Sequence, residues 1–488
     1  MGCLLKGPQV VTSMREILSL LLGLSGLAMA QEKVKVKVDE LYTNHCSGCH
    51  GAKFEGGQGG SLVDGIWKNG GSPAEIFKSI AKGNLEMGMT PWEGILSDDQ
   101  IRSLVIFIQE KEKQTLVKGM DFPVPAPDEV TKTDLHDYRI ETLVEDGLKN
   151  PWAIAFLPDG RRLVTEKSGK LRFVSADGKL DEKAIDGLPQ VIEHGQGGLM
   201  EVALHPGYAE NGWVYLGFAD GVSKKQENGK ADVQCITAVV RGRIKDYQWT
   251  EQEWIYRPEP EFRSSSGAHF GTRFVFHQGY IYFVIGERGS MMDVQQLDIP
   301  KGKIFRLHDD GRVPSDNPFV NTPDAIPGVW SYGHRNPQGL TMDPRDGSLY
   351  STEHGPRGGD ELNLILPGKN YGWPVITYGM NYDGTPMVSI TEKEGMEQPV
   401  TYWVPSIAVC GLDFYTGDAF PEWKNDLLVG GLAQQEVRRL RIVDKKVVSQ
   451  EIILKNIGRV RDVATGPDGN IYIILNGPDR LVRMVPSK

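Results

Sequence analysis

Five consecutive residues combine two thiols and an imidazole at close spacing: Cys46-Ser47-Gly48-Cys49-His50. In this order each thiol can add to one vinyl group of a porphyrin, and the adjacent His50 becomes an axial ligand of its iron. A redox-active dithiol and half of a zinc site are the alternatives, but a structural zinc site needs a second Cys/His pair, which this lone motif lacks. The motif therefore predicts a covalently attached c-type haem.

A second axial ligand for the iron is available in the segment Gly88-Met89-Thr90-Pro91-Trp92, which precedes a predicted helix. The thioether of Met89 would raise the reduction potential of the haem. Met87 is the competing candidate, and most methionines only fill cores. We predict Met89 as the ligand. A chain with such a haem carries electrons, so another part of it should supply them.

The length and charge of the chain limit what the remainder can be. A chain of 488 residues is too long for one core and predicts two or three domains. Its 54 basic and 64 acidic residues leave a net charge of -10, which argues against nucleic acid and anionic membranes as partners. Cys235 and Cys410 are either a disulfide or two buried thiols, and the sequence does not choose between them.

Residues 1–30 have the order of a secretory signal peptide. Lys6 and Arg15 precede an apolar run at residues 17–27, and the small residues Ala28-Met29-Ala30 follow it. The apolar run is too short to span a bilayer comfortably, and no later segment has the length and hydrophobicity of a transmembrane helix. We therefore predict cleavage after residue 30, export across the inner membrane to the periplasm, and no transmembrane segment in the mature chain.

Residues 31–115 have the pattern of a small all-α cytochrome c domain. A first helix near residues 38–45 would deliver the first thiol to the edge of the haem. Ser72-Pro73-Ala74-Glu75 opens a second helix with a serine cap, a proline at the first helical position and a glutamate that reaches back. Ser97-Asp98-Asp99-Gln100 opens a third helix, whose apolar residues fall on one face: Ile101, Leu104, Val105 and Ile108.

Residues 116–138 are predicted to be an extended linker, because prolines at 123, 125 and 127 alternate with Val and Ala. From residue 139 to 488 a unit repeats: an apolar strand, a turn with Asp, Gly or Pro, and a second β-rich strand. Recurrence at roughly 50–75 residues is typical of propeller blades, whereas a sandwich would not repeat the Pro-Asp-Gly turn. The pattern predicts an all-β six-bladed propeller, with repeats at 152–160, 199–207, 273–285, 339–347, 411–417 and 462–475.

Polar residues concentrate in loops between these strands, and propellers carry their active sites on such loops at one mouth of the channel. The loops are residues 193–198, 264–273, 333–339 and 353–361. No Ser or Cys nucleophile pattern lies near His269, so this residue is predicted to be a general base rather than part of a triad. The carboxylates and free carbonyls of residues 353–361 suit a hard cation such as calcium.

A further, smaller cluster, Arg459-Val460-Arg461-Asp462, would place two guanidiniums on one side of a strand. Converging arginines suit a ligand with several carboxylates or phosphates. Arginines at strand ends more often form solvated salt bridges, and this alternative stays open for both of them.

The propeller resembles the soluble pyrroloquinoline quinone (PQQ)-dependent glucose and aldose sugar dehydrogenases. The resemblance covers residues 139–486, with the motifs in the family's order. The most specific motif is Gly333-His334-Arg335-Asn336-Pro337-Gln338-Gly339-Leu340, and the others are Glu353-His354-Gly355-Pro356, Asp360-Glu361, Asn370-Tyr371-Gly372-Trp373-Pro374 and Arg459-Val460-Arg461-Asp462. Residues 31–115 resemble a class I cytochrome c, which some family members carry in fusion.

The resemblance implies a site that oxidises aldose sugars at C1 to lactones. His269 matches the base that takes the proton of the anomeric hydroxyl, and Gln196 matches a residue beside the sugar. Arg335 and Asn336 match groups that bind the quinone, with Arg335 polarising its reactive carbonyl. Electrons would pass from reduced PQQ to the haem of the same chain and then to an external acceptor: a soluble cytochrome, a copper protein or a terminal oxidase.

The resemblance also implies two calcium sites. Gly355 and Pro356 match the backbone carbonyls that hold one calcium together with the quinone. Glu361 and Tyr371 fall at positions of a second, structural calcium.

Other quinone contacts agree with the family only in part. Arg459 and Arg461 match contacts to the quinone carboxylates. Where the glucose enzymes have a quinone-binding lysine, this chain has Leu432-Ala433-Gln434-Gln435, and where they have Asp before the catalytic histidine it has Ala268. The resemblance therefore leaves open what replaces the lysine.

Two further function classes stay open at this stage. In a haem-based reductase a cytochrome c would feed a propeller that carries a different haem, but that arrangement normally needs eight blades and the repeats number six. A calcium-dependent propeller lactonase or a binding module would use the acidic loops but would leave the arginine cluster idle.

Overall fold

The computed structural model describes residues 36–118, 129–226, 231–387 and 390–487. The predicted signal peptide and the three linker prolines lie outside the described residues. In the part of the chain that is described, no helix is long and apolar enough to cross a membrane.

The described residues 36–118, which form the helical domain, contain four helices: α1 (Val38–His45), α2 (Ser47–His50), α3 (Pro73–Lys82) and α4 (Asp98–Lys118), with a 3-10 turn at Leu85–Met87. The predicted cap of α3 is present, because the Ser72 side chain accepts from the Glu75 amide while the Glu75 carboxylate accepts from the Ser72 amide. Ser97 and Gln100 make the equivalent pair at the start of α4. These caps set where the helices begin.

Between residues 101 and 110 the helix α4 is buried around nearly its whole circumference, whereas most of residues 113–118 are exposed. The apolar face predicted from the sequence is buried, since Ile101, Leu104, Val105 and Ile108 are at most 3% exposed. The residues between them are buried as well: Ser103, Ile106, Phe107, Gln109 and Glu110. A helix covered on all sides packs against two bodies. One is formed by α1 and α3, and the other is the propeller.

The propeller consists of six antiparallel sheets. Blade 1 has β3 (Pro151–Phe156), β4 (Arg162–Glu166), β5 (Lys170–Val174) and β6 (Leu180–Ala184). Blade 2 has β7 (Leu199–Leu204), β8 (Val214–Lys225), β9 (Ala231–Lys245) and β10 (Gln248–Tyr256), with the short helix α5 (Tyr208–Asn211) between β7 and β8. Blade 3 has β11 (Phe274–His277), β12 (Tyr280–Ile285), β13 (Lys303–His308) and β14 (Val329–Tyr332).

Blades 4 and 5 have the same four-stranded meander, whereas blade 6 has five strands. Blade 4 has β15 (Pro337–Met342), β16 (Leu349–Glu353), β17 (Asp360–Ile365) and β18 (Thr401–Trp403); blade 5 has β19 (Val409–Phe414), β20 (Leu427–Gly431), β21 (Glu436–Val443) and β22 (Lys446–Lys455); blade 6 has β23 (Arg459–Thr465), β24 (Ile471–Asn476) and β25 (Arg480–Pro486), completed by β2 (Asp137–Val144) and β1 (Thr131–Lys132). The prediction of a six-bladed propeller after a helical domain is confirmed.

The innermost strands β3, β7, β11, β15, β19 and β23 contact one another in a closed ring. All six repeats found in the sequence fall on these innermost strands. Blade 6 closes the ring because β2, from the start of the domain, pairs antiparallel with β25, near its end. The side chain of Tyr138, on β2, is fully buried and donates a hydrogen bond to the Ile453 carbonyl of blade 5.

A buried ion cluster joins the inner strands at the channel axis. The Arg273 guanidinium lies 3.0 Å from Glu201 and 2.9 Å from Asp462, and donates to the carbonyls of Gln338 and Arg461 at 2.8 Å. These partners come from β7, β15 and β23, so one side chain bonds three blades. Burial raises the pKa of Glu201, whereas the neighbouring guanidinium opposes that rise.

We expect Arg273→Met to lower the free energy of unfolding by about 3–5 kcal/mol, because two buried carboxylates would lose their counter-charge. Urea titration followed by tryptophan fluorescence measures the change. Arg312→Met is the matched control, since Arg312 is 74% exposed and forms a surface pair with Asp310; its cost should stay below about 1 kcal/mol. Equal costs for the two variants would contradict a structural role for the axial cluster.

Candidate active site

The predicted base His269 is held in an uncommon backbone conformation just before β11. Its φ of 56° lies in the left-handed region, which residues other than glycine adopt at a cost and often at functional sites. The Gln196 side-chain oxygen accepts a hydrogen bond from the His269 amide at 2.8 Å. The loop before β7 therefore fixes the loop before β11, and the structure brings the predicted substrate residue and the predicted base together.

A carboxylate that the sequence analysis did not assign contacts the base. The His269 Nδ1 atom is hydrogen-bonded to the Glu287 carboxylate, which follows β12 and is buried. With Nδ1 protonated, Nε2 is left to accept a proton. Burial lowers the pKa of His269 below its ordinary value of 6.5, Glu287 partly opposes the shift and Arg335 adds to it. The ring is therefore neutral at neutral pH, as a general base requires.

We expect the sugar-oxidation kcat/KM to fall on acidification only as the pH drops through the lowered pKa of His269, because the protonated ring cannot accept a proton. In Glu287→Gln the carboxylate that raises this pKa is removed, so the acid limb should move to lower pH. A pH–rate profile of both proteins measures the shift. An acid limb that moves to higher pH would contradict the assignment of Glu287.

Arg335 and Asn336 enter the same site between β14 and β15, and both are buried. The Arg335 amide donates to Glu353 at 2.7 Å, and its Nη1 donates to the carbonyls of His354 at 3.1 Å and Gly355 at 2.8 Å. The Asn336 side-chain oxygen accepts from the Gly271 amide at 3.1 Å. These bonds orient both side chains toward blades 3 and 4.

Three buried donors at this site have no hydrogen-bond partner among the described atoms. Two belong to Arg335 (Nε) and Asn336 (Nδ2), and the third is Trp373 Nε1. A buried donor left without a partner costs free energy, and such groups are commonly kept for a ligand. Arg335 and Trp373 also line one cavity, and their guanidinium and ring centroid are 5.1 Å apart. The donor set fits a planar, oxygen-rich anion such as PQQ.

Two carboxylates line this cavity on the side of blade 4. Glu353 and Glu361 are cross-strand neighbours on β16 and β17. Burial, together with the adjacent Glu353, raises the pKa of Glu361 to about 8. A divalent cation would supply the positive charge that this pair lacks, so the donor set fits calcium. No group of three or more His, Cys, Asp or Glu suited to a metal occurs in the described ranges, so backbone oxygens would have to complete the shell.

The other predicted calcium ligands, Gly355, Pro356 and Tyr371, differ in whether their oxygens are available to a metal. The Gly355 carbonyl faces the site, where it accepts from Arg335, and Pro356 follows it in a buried turn. Tyr371 lines the cavity, but its hydroxyl donates to the Leu364 carbonyl at 2.6 Å and accepts from the Leu366 amide. Its phenol oxygen is therefore used in the fold, and only its backbone carbonyl is available for a metal.

His354 sits between the predicted quinone residues, although the sequence analysis assigned it no role. Its Nε2 donates to the Val409 carbonyl at 2.6 Å. Desolvation and then the Arg335 charge lower its pKa to about 3, with smaller contributions from Arg461 and His269. A neutral imidazole therefore adds no further positive charge beside Arg335 and Arg461.

The two predicted carboxylate-binding arginines differ in environment. Arg461 is half-buried, bonded to Asn476 at 3.0 Å and stacked over Trp152 at 4.1 Å. Arg459 is exposed and acts on Arg461 only by repulsion. In the segment 432–435, where the family's glucose enzymes have a lysine, the Gln434 carbonyl accepts from Lys455 at 3.3 Å, but that lysine is ion-paired with Glu436 at 2.8 Å.

The haem motif lies at the junction of α1 and α2. Cys46 and Cys49 are free thiols, and burial raises the pKa of Cys46 to about 11. The His50 Nδ1 atom is 2.9 Å from the Gly60 carbonyl, so Nε2 is free to bind iron. Met89 is half-buried in a turn closed by hydrogen bonds with Asn84. The donor set fits a c-type haem.

Large apolar side chains are exposed on the same domain, which is unusual for a solvated surface. They are Ile66, Leu85, Met87 and Ile95, each more than 60% exposed. A porphyrin bound to this domain offers the apolar surface needed to cover such side chains. Met87, the competing axial ligand, is among them.

Cys235 and Cys410 are separate buried thiols rather than a disulfide. The Cys235 sulfur lies 3.6 Å from Arg288, and the Cys410 sulfur lies 3.6 Å from Arg461. Both thiols thus pack against guanidiniums of the inner ring.

The two domains together define a propeller oxidoreductase fused to a cytochrome c. Residues 148–483 match the family model for glucose/sorbosone dehydrogenase, and residues 36–108 match that for the cbb3-type cytochrome c oxidase subunit III. Aldose sugar dehydrogenase YliI of Escherichia coli is 42% identical over 339 residues, which cover 68% of this chain and 88% of that protein. This chain belongs to the glucose/sorbosone dehydrogenase family.

Solved structures agree with this assignment. The apo-form crystal structure of the soluble aldose sugar dehydrogenase from Escherichia coli is 39% identical, with a TM-score of 0.65 over 72% of this chain and 100% of that one. The PQQ-bound aldose sugar dehydrogenase from Streptomyces coelicolor is 26% identical, with a TM-score of 0.58 over 72% of this chain and 98% of that one. The propeller is therefore of the aldose sugar dehydrogenase type, and the helical domain is additional to it.

Proposed function

We propose that the protein is a periplasmic PQQ- and calcium-dependent aldose dehydrogenase that oxidises sugars at C1 to lactones and passes the electrons to its own haem c. The observation that supports this most directly is the placement of a carboxylate-supported histidine beside three buried donors without partners. A lactonase or binding module would leave those donors without a ligand. The PQQ-bound relative from Streptomyces coelicolor supports the choice of quinone.

Each residue has a defined task in this proposal. His269 Nε2 takes the proton of the C1 hydroxyl while Glu287 stabilises the resulting imidazolium. The Gln196 side-chain oxygen accepts a hydrogen bond from the His269 backbone amide and so holds the base in place. Arg335 and Asn336 would bind and orient the quinone, and their unpartnered donors would supply electrostatic stabilisation to its oxygens.

The cofactors would supply the redox chemistry. When bound, PQQ accepts hydride and so two electrons, and the haem carries one electron at a time. Gly355 and Pro356 would present carbonyls to one calcium, and Glu361 with the Tyr371 backbone would hold a second. Arg459 and Arg461 would bind quinone carboxylates. Cys46, Cys49, His50 and Met89 would hold the haem.

The test is reconstitution of the purified haem-loaded protein with PQQ, calcium and glucose. We expect reduction of an artificial dye and the appearance of the ferrous haem spectrum, neither of which should occur without PQQ or with a calcium chelator. Absence of both signals in the complete mixture would contradict the proposal. Hydrolysis of a sugar lactone without PQQ would favour the lactonase instead.

A further inference from the structure

The helical domain of residues 36–118, here called the haem domain, packs against the loop that lines the candidate active site. Ile106 of α4 is 4% exposed and lies so close to Gly358 that a side chain there would come within 3.1 Å of it. The Val38 amide at the start of α1 donates to the Gly384 carbonyl at 2.9 Å. Two elements of the haem domain thus contact two segments of blade 4, residues 355–359 and 378–384.

An ion pair lies within this α4–blade 4 interface. Glu110 of α4 accepts from Arg357 Nη2 at 2.9 Å and from its Nε at 3.1 Å, although the two residues are 247 positions apart. The Glu110 side chain is 6% exposed and that of Arg357 is 28% exposed. A bidentate pair of this kind fixes orientation as well as contact.

The propeller side of the ion pair leads directly to the active site. Arg357 follows Gly355-Pro356, and it exchanges backbone hydrogen bonds of 2.9 and 3.0 Å with Met380. From the same segment, Tyr382 donates to the Gly355 carbonyl at 3.5 Å and lies 5.9 Å from the Arg335 guanidinium. Arg357 therefore lies in the same short loop as the Gly355 carbonyl, which accepts a hydrogen bond from Arg335.

The haem side of the ion pair leads to the Cys-X-X-Cys-His motif through aromatic rings. The Arg357 guanidinium lies 5.6 Å from the ring of Phe107, which is 5.4 Å from that of Phe54. Phe54 stacks on Tyr42 at 3.9 Å, and the Tyr42 hydroxyl donates at 2.7 Å to Gly51, the residue after His50. Buried, packed groups thus connect the motif with the active-site loop.

We propose that the α4–blade 4 interface is the path by which electrons leave the propeller, and that the Glu110–Arg357 pair holds the haem domain in the transferring position. This inference rests on the proposed function. Oxidation of one C1 hydroxyl to a lactone releases two electrons and two protons. Two ferric haem reductions take up the electrons one after the other, with an external one-electron redox protein reoxidising the haem between them, and the protons leave to solvent.

The test uses full-length, haem-loaded protein with Glu110→Arg, which sets two guanidiniums against each other. With PQQ, calcium and glucose, we expect stopped-flow haem reduction to slow at least tenfold while reduction of a small dye by the propeller stays unchanged. Without PQQ and calcium, hydrogen exchange by mass spectrometry should show faster exchange in residues 103–110 and 355–359 of this variant than in the unaltered protein. The double variant Glu110→Arg/Arg357→Glu should restore slow exchange and raise the ratio of haem to dye reduction.

Glu40→Arg is the matched control, because Glu40 is exposed on α1 and carries the same charge; both readouts should be as in the unaltered protein. Glu110→Gln serves if the reversal prevents folding, with smaller changes in the same direction. Unchanged haem reduction or unchanged exchange in the Glu110 variants would overturn the inference. If the unaltered protein does not reduce the dye, the proposed function is refuted instead. The exchange experiment would still decide whether the ion pair holds the haem domain against the propeller.

Discussion

Replacing His269 with Gln should lower the turnover of sugar by about 10²–10⁴-fold, the usual contribution of a general base. The amide keeps a hydrogen-bonding group near Glu287 but cannot accept the C1 hydroxyl proton at neutral pH. Steady-state dye reduction with PQQ and calcium measures the loss. Because His269 does not hold the quinone in our proposal, the affinity for PQQ, measured by titration of apoprotein, should change little.

His194→Gln is the control for this experiment. His194 lies in the neighbouring loop, where its Nε2 is 2.9 Å from the Ser265 carbonyl, and we expect near-normal turnover. If His269→Gln keeps near-normal turnover and His194→Gln does not, the base is His194. The assignment of His269 and Glu287 would then be wrong.

Replacing Cys46 and Cys49 together with Ala should abolish covalent haem. Without the two thiols no thioether bond to the porphyrin can form, so haem staining after denaturing electrophoresis should be lost. Sugar-dependent appearance of the ferrous spectrum should be lost with it. Dye reduction by the propeller should persist, because no described quinone or base residue belongs to the haem domain.

Cys235→Ala is the matched control, since Cys235 is a buried thiol of the propeller. We expect haem staining of this variant to equal that of the unaltered protein. Covalent haem in the double variant would show that the porphyrin is attached elsewhere.

The propeller was predictable because its physical pattern repeats. Each blade needs an apolar inner strand and a tight turn, so the pattern occurs six times and each repeat supports the interpretation of the others. The burial of α4 on both sides was not predictable in the same way. Its second face mixes Phe107 with Glu110, and that glutamate is explained only by Arg357, 247 positions away.

The candidate site was predictable from motifs only as a set of residue types. His269 and Gln196 were singled out, and the structure places them in contact. Glu287 was missed because it lies 18 positions after His269 in the chain, beyond the strand Tyr280–Ile285, and only folding brings the two side chains together. The unpartnered donors were beyond prediction, since the lack of a partner depends on three-dimensional packing. Roles in binding quinone and calcium stay predictions for the experiments above.

The pairing of β2 with β25 has a consequence for biosynthesis. Among the propeller strands β25 is synthesised last, so the ring stays open until blade 6 has been made. The thiols of residues 46 and 49 emerge long before that moment, and so does α4. The order of synthesis would thus allow the proposed porphyrin attachment to precede ring closure, and α4 is made before the blade 4 loops that it contacts.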